Sequence, residues 1–149
     1  QRTTGAFLAE EVFHDHCIDK GLQLKNVSET NLHYDFEIGP HKVDIKTKYC
    51  STPPRPSYNC TIYEYEVGKE STHFVFCRLL FNKAVRQDNL DRYLKIYLLG
   101  QISKHRFLKH AKKVEAGQPD PYGDGKGIID MTEDCRAMQI MDLSPFTRI

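Results

Sequence analysis

Polar and apolar side chains alternate through residues 33–48 on either side of a Gly39-Pro40 pair. A period of two predicts two antiparallel strands, 33–38 and 41–48, joined by a tight turn. If the turn is a two-residue loop, Asp35 faces Asp44, Glu37 faces Lys42 and His33 faces Lys46. Side chains alternate between the faces of a strand. Tyr34, Phe36, Ile38, Val43 and Ile45 then share one face, suited to burial, and His33, Asp35, Glu37, Lys42, Asp44 and Lys46 share the other. Upstream, Ala6, Ala9, Val12, Phe13 and Cys17 fall near helical spacing. They predict a helix over 5–20, capped by Thr4 and followed by Gly21. A short strand is expected within 22–27. The proline-containing stretch 49–60 is read as a loop able to reach over a ligand. The nearly continuous apolar run 72–81 predicts a central strand buried on both faces. A further strand is expected over 92–102, then a helix from Ser103 to about residue 115, with Phe107, Leu108, Ala111 and Val114 inward. A Gly/Pro/Asp loop over 117–127 and a last strand over 135–143 complete the pattern. Together these elements predict one α/β domain over 1–149, with a mixed, largely antiparallel central sheet flanked by helices.

Composition narrows the class. The chain has 149 residues, of which 40% are hydrophobic and 28% charged, enough to build a core in one soluble globular domain. No apolar run approaches the length of a membrane span, and no secretory signal is recognisable. The sequence opens on Gln1, which leaves room for an upstream segment. A net charge of +1 means that any basic surface must be local. The five cysteines are odd in number, scattered and without a C-x-x-C pair, so reduced thiols in a cytoplasm are expected.

The hairpin carries the chemistry. Like charges directly opposite on a sheet repel, and at about 5 Å with an effective dielectric near 20 the repulsion is roughly 3 kcal/mol before screening. A divalent cation shared by Asp35 and Asp44 would relieve it, and Mg²⁺ favours one or two carboxylates with water and phosphate oxygens. Lys46, two residues beyond Asp44, lies on the same face, while Ile45 between them can offer its carbonyl. Paired carboxylates beside an ammonium group suit metal-assisted phosphodiester cleavage. The plain alternative is a solvated charged face with Glu37 and Lys42 as a weak surface ion pair.

With Asp35 in HYDFEIG, Asp44 and Lys46 in VDIK, and Glu10 in the preceding helix, the chain resembles the PD-(D/E)xK nuclease superfamily. The spacing from Glu10 to Gly21, YLLGQI ahead of a helix, and QIMDL near the end extend the resemblance along most of the chain. Tyr34 stands where the named pattern has proline, and Glu11 competes with Glu10. The resemblance implies a restriction-endonuclease-like fold and an endonuclease that hydrolyses DNA with Mg²⁺, for which Mn²⁺ can substitute. It assigns catalysis to Asp35, Asp44, Lys46 and Glu10, and the metal to Asp35, Asp44, the Ile45 carbonyl and Glu10. It also implies the cytoplasm of a bacterial or phage-infected cell and is compatible with a homodimer. Two further readings stay open: an RNA endonuclease, and a non-catalytic nucleic-acid-binding or assembly module on the same fold. Lys48 and Arg55 are candidates for guiding a strand, and the basic residues Lys104, His105, Arg106, Lys109, His110, Lys112 and Lys113 for touching phosphates.

Overall fold

A computed structural model of the chain describes residues 3–123 and 129–145. Helix α1 (Thr4–Asp19) begins where the Thr3 hydroxyl accepts the Ala6 N–H at 3.1 Å, one residue earlier than the expected cap. It ends at Gly21, whose φ of +74° lets the Leu22 N–H turn back to the Cys17 carbonyl at 2.9 Å. The chain continues through β1 (Lys25–Asn26), β2 (Phe36–Ile38), β3 (His41–Cys50), β4 (Asn59–Tyr63), β5 (His73–Phe81) and β6 (Tyr93–Ser103). Helix α2 (Lys104–His110), β7 (Lys112–Val114) and β8 (Cys135–Gln139) follow.

Five strands form one sheet in the order β1-β2-β3-β5-β6, and three form a second in the order β4-β8-β7. Only β3 and β5 run parallel; the other pairings are antiparallel. The large sheet is therefore mixed and largely antiparallel, as expected, within a single α/β domain. Helix α1 covers one face, packing Ala9, Phe13 and Cys17 against Phe36, Ile38, Val43, Val75 and Leu79. The small sheet and α2 cover the other, where Cys60, Ile62, Phe107 and Met138 meet Phe74, Phe76 and Ile102. Strand β5 is thus enclosed on both sides, which is why its sequence reads as a continuous apolar run. Burying each of the large core side chains contributes about 1.5–3 kcal/mol.

Several expected elements come out differently. The helix after Ser103 stops at His110 because Ala111 is extended, with ψ of 144°, and Lys112–Val114 pairs with β8. Lys112 and Lys113 thereby leave the basic helix. The expected loop 49–60 is shorter, since β3 runs to Cys50 and β4 begins at Asn59. The last strand ends at Gln139 and passes into a 3₁₀ turn, Ile140–Asp142. Part of the expected loop 117–127, residues 124–127, lies outside the described residues. Among the described residues no helix is long and apolar enough to cross a membrane.

Candidate functional site

Gly39 turns the hairpin with φ of +57°, a conformation open to glycine at little steric cost. The expected register holds for Phe36↔Val43, Glu37↔Lys42 and Ile38↔His41. It does not continue to a direct Asp35↔Asp44 pair. The backbone leaves the ladder at Asp35, whose N–H donates to the Val43 carbonyl at 2.9 Å. The Asp35 carboxylate then accepts the Ile45 N–H at 2.8 Å, in the place of a ladder carbonyl. His33 does not face Lys46; its ring Nδ1 accepts the Glu70 N–H at 3.0 Å. Glu37 and Lys42 face each other, but Glu37 accepts the Tyr34 hydroxyl at 2.9 Å and the Lys42 ammonium lies over the Tyr34 ring.

Although the ladder breaks, the acids converge. The Asp44 and Glu10 carboxyls both act on the Asp35 carboxyl, so acids from α1, the bend before β2, and β3 lie near one another. Asp44 and Glu10 are buried, at 9% and 6% exposure. Burial, followed by the charge of Asp35, pushes the Asp44 carboxyl up to about 6, despite the opposing pull of Lys46. Asp35 is raised as well, by burial first and with Glu10 adding to it. Two carboxyl groups in such contact bind a proton more tightly than either would alone.

Lys46 closes the cluster. Its ammonium lies 2.9 Å from Asp44 Oδ2 and 2.7 Å from Glu66 Oε1. Burial acts to lower its pKa, but the two carboxylates outweigh this and hold it above the ordinary lysine value, so Lys46 is charged at neutral pH. Sequence reasoning missed Glu66. It lies in a 3₁₀ turn, Glu64–Glu66, on the chain segment between β4 and β5, where no periodic pattern marks it.

The face of β3 that carries Asp44 and Lys46 continues to Lys48. Asp44, Lys46 and Lys48 lie at alternate positions beside Phe74, Phe76 and Arg78 of β5. A cavity of about 290 Å³ opens there between the two sheets, lined in part by Lys46, Lys48, Asn59, Thr61, Glu66 and Arg78. Of the residues singled out from sequence, Arg55 is exposed in the loop between β3 and β4, while Lys48 reaches into this second-sheet boundary.

All five cysteines are buried and none is in a disulfide. Burial pushes Cys17 up to about 11 and Cys60 and Cys77 up to about 12.

Among the described residues no group of three or more His, Cys, Asp and Glu side chains is placed to hold a metal ion by itself. Asp35 and Asp44, two carboxyl groups near one another, are oxygen donors of the kind a hard cation takes. Models of protein families give no match to the chain, and neither curated proteins nor solved structures give one.

Proposed function

We propose that the protein is a Mg²⁺-dependent nuclease of the PD-(D/E)xK type that hydrolyses DNA phosphodiester bonds. The observation that carries this reading is the meeting of Asp35 and Asp44, with Lys46 bonded to Asp44 at 2.9 Å. Magnesium commonly takes only one or two carboxylates and completes its shell with water and substrate phosphate, so a full protein cage is not required. Asp35 and Asp44 would hold the ion together with the Ile45 carbonyl, and Glu10 would add an oxygen directly or through water. When bound, the ion polarises the phosphate and acidifies a water.

The remaining roles belong to the chain. The hydrogen bond from Ile45 N–H to Asp35 fixes the carboxylate against β3, which limits the reorganisation needed to accept a cation. Lys46 is held charged between Asp44 and Glu66, so it acts as a donor that orients the attacking water and offsets charge on the phosphate. It is poorly suited to accept a proton.

Incubating the purified protein with supercoiled plasmid DNA tests the proposal, with Mg²⁺ or Mn²⁺ in one arm and a chelator in the other. Cleavage is expected only with metal, and is expected to disappear in Asp44→Ala and Lys46→Ala while circular dichroism stays unchanged. Full activity in either folded variant refutes the assignment. Structured RNA cut in preference to DNA would redirect it to an RNA endonuclease, and metal binding without cleavage of either would favour a binding module.

A further inference from the structure

Among the described residues Arg78 is the largest fully buried side chain, at 1% exposure. It sits within an otherwise apolar strand, and its partners are neutral. One terminal nitrogen, Nη2, donates to the Asn59 carbonyl at 2.9 Å and to Asn59 Oδ1 at 3.2 Å. The guanidinium also lies 5.6 Å from the centre of the Tyr58 ring. The other terminal nitrogen, Nη1, is buried without a hydrogen-bond partner. A charged donor shut away from water and left unsatisfied is strongly unfavourable unless something anionic answers it.

The 290 Å³ cavity supplies a place for that anion. Arg78 lines it together with Lys48 and Lys46, and Glu66, the one carboxylate among the described lining residues, is engaged by Lys46. The neutral groups around it are braced. Asn59 donates its amide to the Asp120 carboxylate, which turns its Oδ1 toward Lys48 at 2.6 Å and toward Arg78. Thr61 Oγ1 lies 3.4 Å from the same ammonium.

We propose that this cavity is a phosphate-binding subsite, in which Arg78 and Lys48 hold a phosphate group of the nucleic-acid strand one step along from the cluster at Asp44. Arginine and lysine donors to phosphate make charge-assisted hydrogen bonds, the strongest that side chains offer to such a group. The distance suits a neighbouring phosphate: Lys46 and Lys48 are two residues apart on one face of β3, a rise of about 7 Å. At the rim, Tyr63 lines the cavity and stacks on Tyr65 with ring centres 5.6 Å apart and planes at 18°. Both rings are substantially exposed, at 39% and 65%, and offer a flat surface to a base attached to that phosphate. The subsite rests on the nuclease reading for its occupant, but its phosphate chemistry does not depend on catalysis.

Titration calorimetry on the intact chain in a chelator separates the two. The probes are inorganic phosphate, a short single-stranded oligothymidylate carrying a 5′-phosphate, and the same oligonucleotide without it. Both phosphate-bearing probes are expected to bind wild type, and Lys48→Met is expected to weaken them by about tenfold or more, the loss of one charge-assisted hydrogen bond. Arg78→Lys, which keeps the charge but loses the planar fork, should do the same; Lys48→Met carries the test if that buried variant does not fold. Wild type that binds neither probe, or Lys48→Met that binds like wild type, overturns the subsite. Phosphate that binds while the phosphorylated oligonucleotide binds no better than the unphosphorylated one overturns the assignment to a nucleic-acid strand. Cleavage by Asp44→Asn would instead remove the nuclease reading and leave the phosphate measurements to stand on their own.

Discussion

The Ile45 N–H donates to the Asp35 carboxylate at 2.8 Å, so a side chain does the work of a ladder carbonyl where β2 gives out. Asp35 is consequently both a stitch between strands and a candidate ligand. The two roles separate by substitution. Asp35→Ala leaves the Ile45 N–H without its acceptor and should destabilise the metal-free protein by about 1–3 kcal/mol. Asp35→Asn keeps an acceptor oxygen and removes the charge, so urea midpoints in a chelator should stay near wild type while stabilisation by Mn²⁺ is lost. An Asn variant stabilised by Mn²⁺ as strongly as wild type would remove Asp35 from the ligand set.

Asp44 sets a pH dependence. Its carboxyl is raised from 3.8 to about 6 in the folded protein, chiefly by burial. The folded state therefore holds a proton that the unfolded state releases, and the associated stability is fully present below pH 3.8 and lost as pH rises through about 6. The shift corresponds to about 3 kcal/mol at most. Without metal, Asp44→Asn should gain stability relative to wild type as pH increases from 4 to 7, seen as a growing gap between their urea midpoints. A gap independent of pH would show that Asp44 ionises normally.

Glu66 tunes Lys46. Removing its charge in Glu66→Gln leaves Asp44 alone to oppose the effect of burial, so the ammonium should release its proton at lower pH. If the protein is the proposed nuclease, the alkaline limb of its rate profile should move to lower pH, with a loss of about tenfold or less at neutral pH. An unchanged alkaline limb would detach Glu66 from the chemistry.

Phe107 tests the architecture without touching the acids. It is fully buried and contacts Phe74 and Phe76 across the sheet, with ring centres at 5.6 and 6.0 Å. Phe107→Ala should lower stability by about 3–5 kcal/mol in denaturant titrations. At temperatures where the variant is folded, any Mn²⁺ stabilisation seen in wild type should persist.

The sequence disclosed the hairpin best, because Gly39-Pro40 sets the turn and alternation sets the faces. What it could not disclose was the bend at Asp35, which depends on a tertiary hydrogen bond from the Val27 N–H to the Asp35 carbonyl at 2.9 Å. The enclosed strand β5 was legible from its apolar run, and its one interior charge, Arg78, was a visible anomaly whose meaning required the second sheet. That second sheet was mostly hidden. Strand β7 is Lys112–Val114, three residues with no apolar alternation, and it exists because β8 offers Cys135–Ala137 as a partner. Helical spacing at Phe107, Leu108, Ala111 and Val114 pointed past His110, and pairing with β8 overrode it. Strand β4 follows a proline-rich loop, and Glu66 lies in an irregular turn, so neither carries a local period. Asp44 and Lys46 were readable together because they share one face of β3; the groups that surround Lys46 and Lys48 were not, because they arrive from distant chain.

Parallel strands cannot be joined by a tight turn, and the excursion from β3 to β5 runs through residues 51–72, taking in β4 on the way. The roof that carries Asn59 and Glu66 is therefore the connector itself. During refolding, the loop must close over these residues before Lys46 meets its second carboxylate, whereas α1 can form from local contacts at once. Closure of the roof over Lys46 should trail the recovery of helical signal, and a protease nick within residues 51–58 should uncouple the roof from its floor without erasing either.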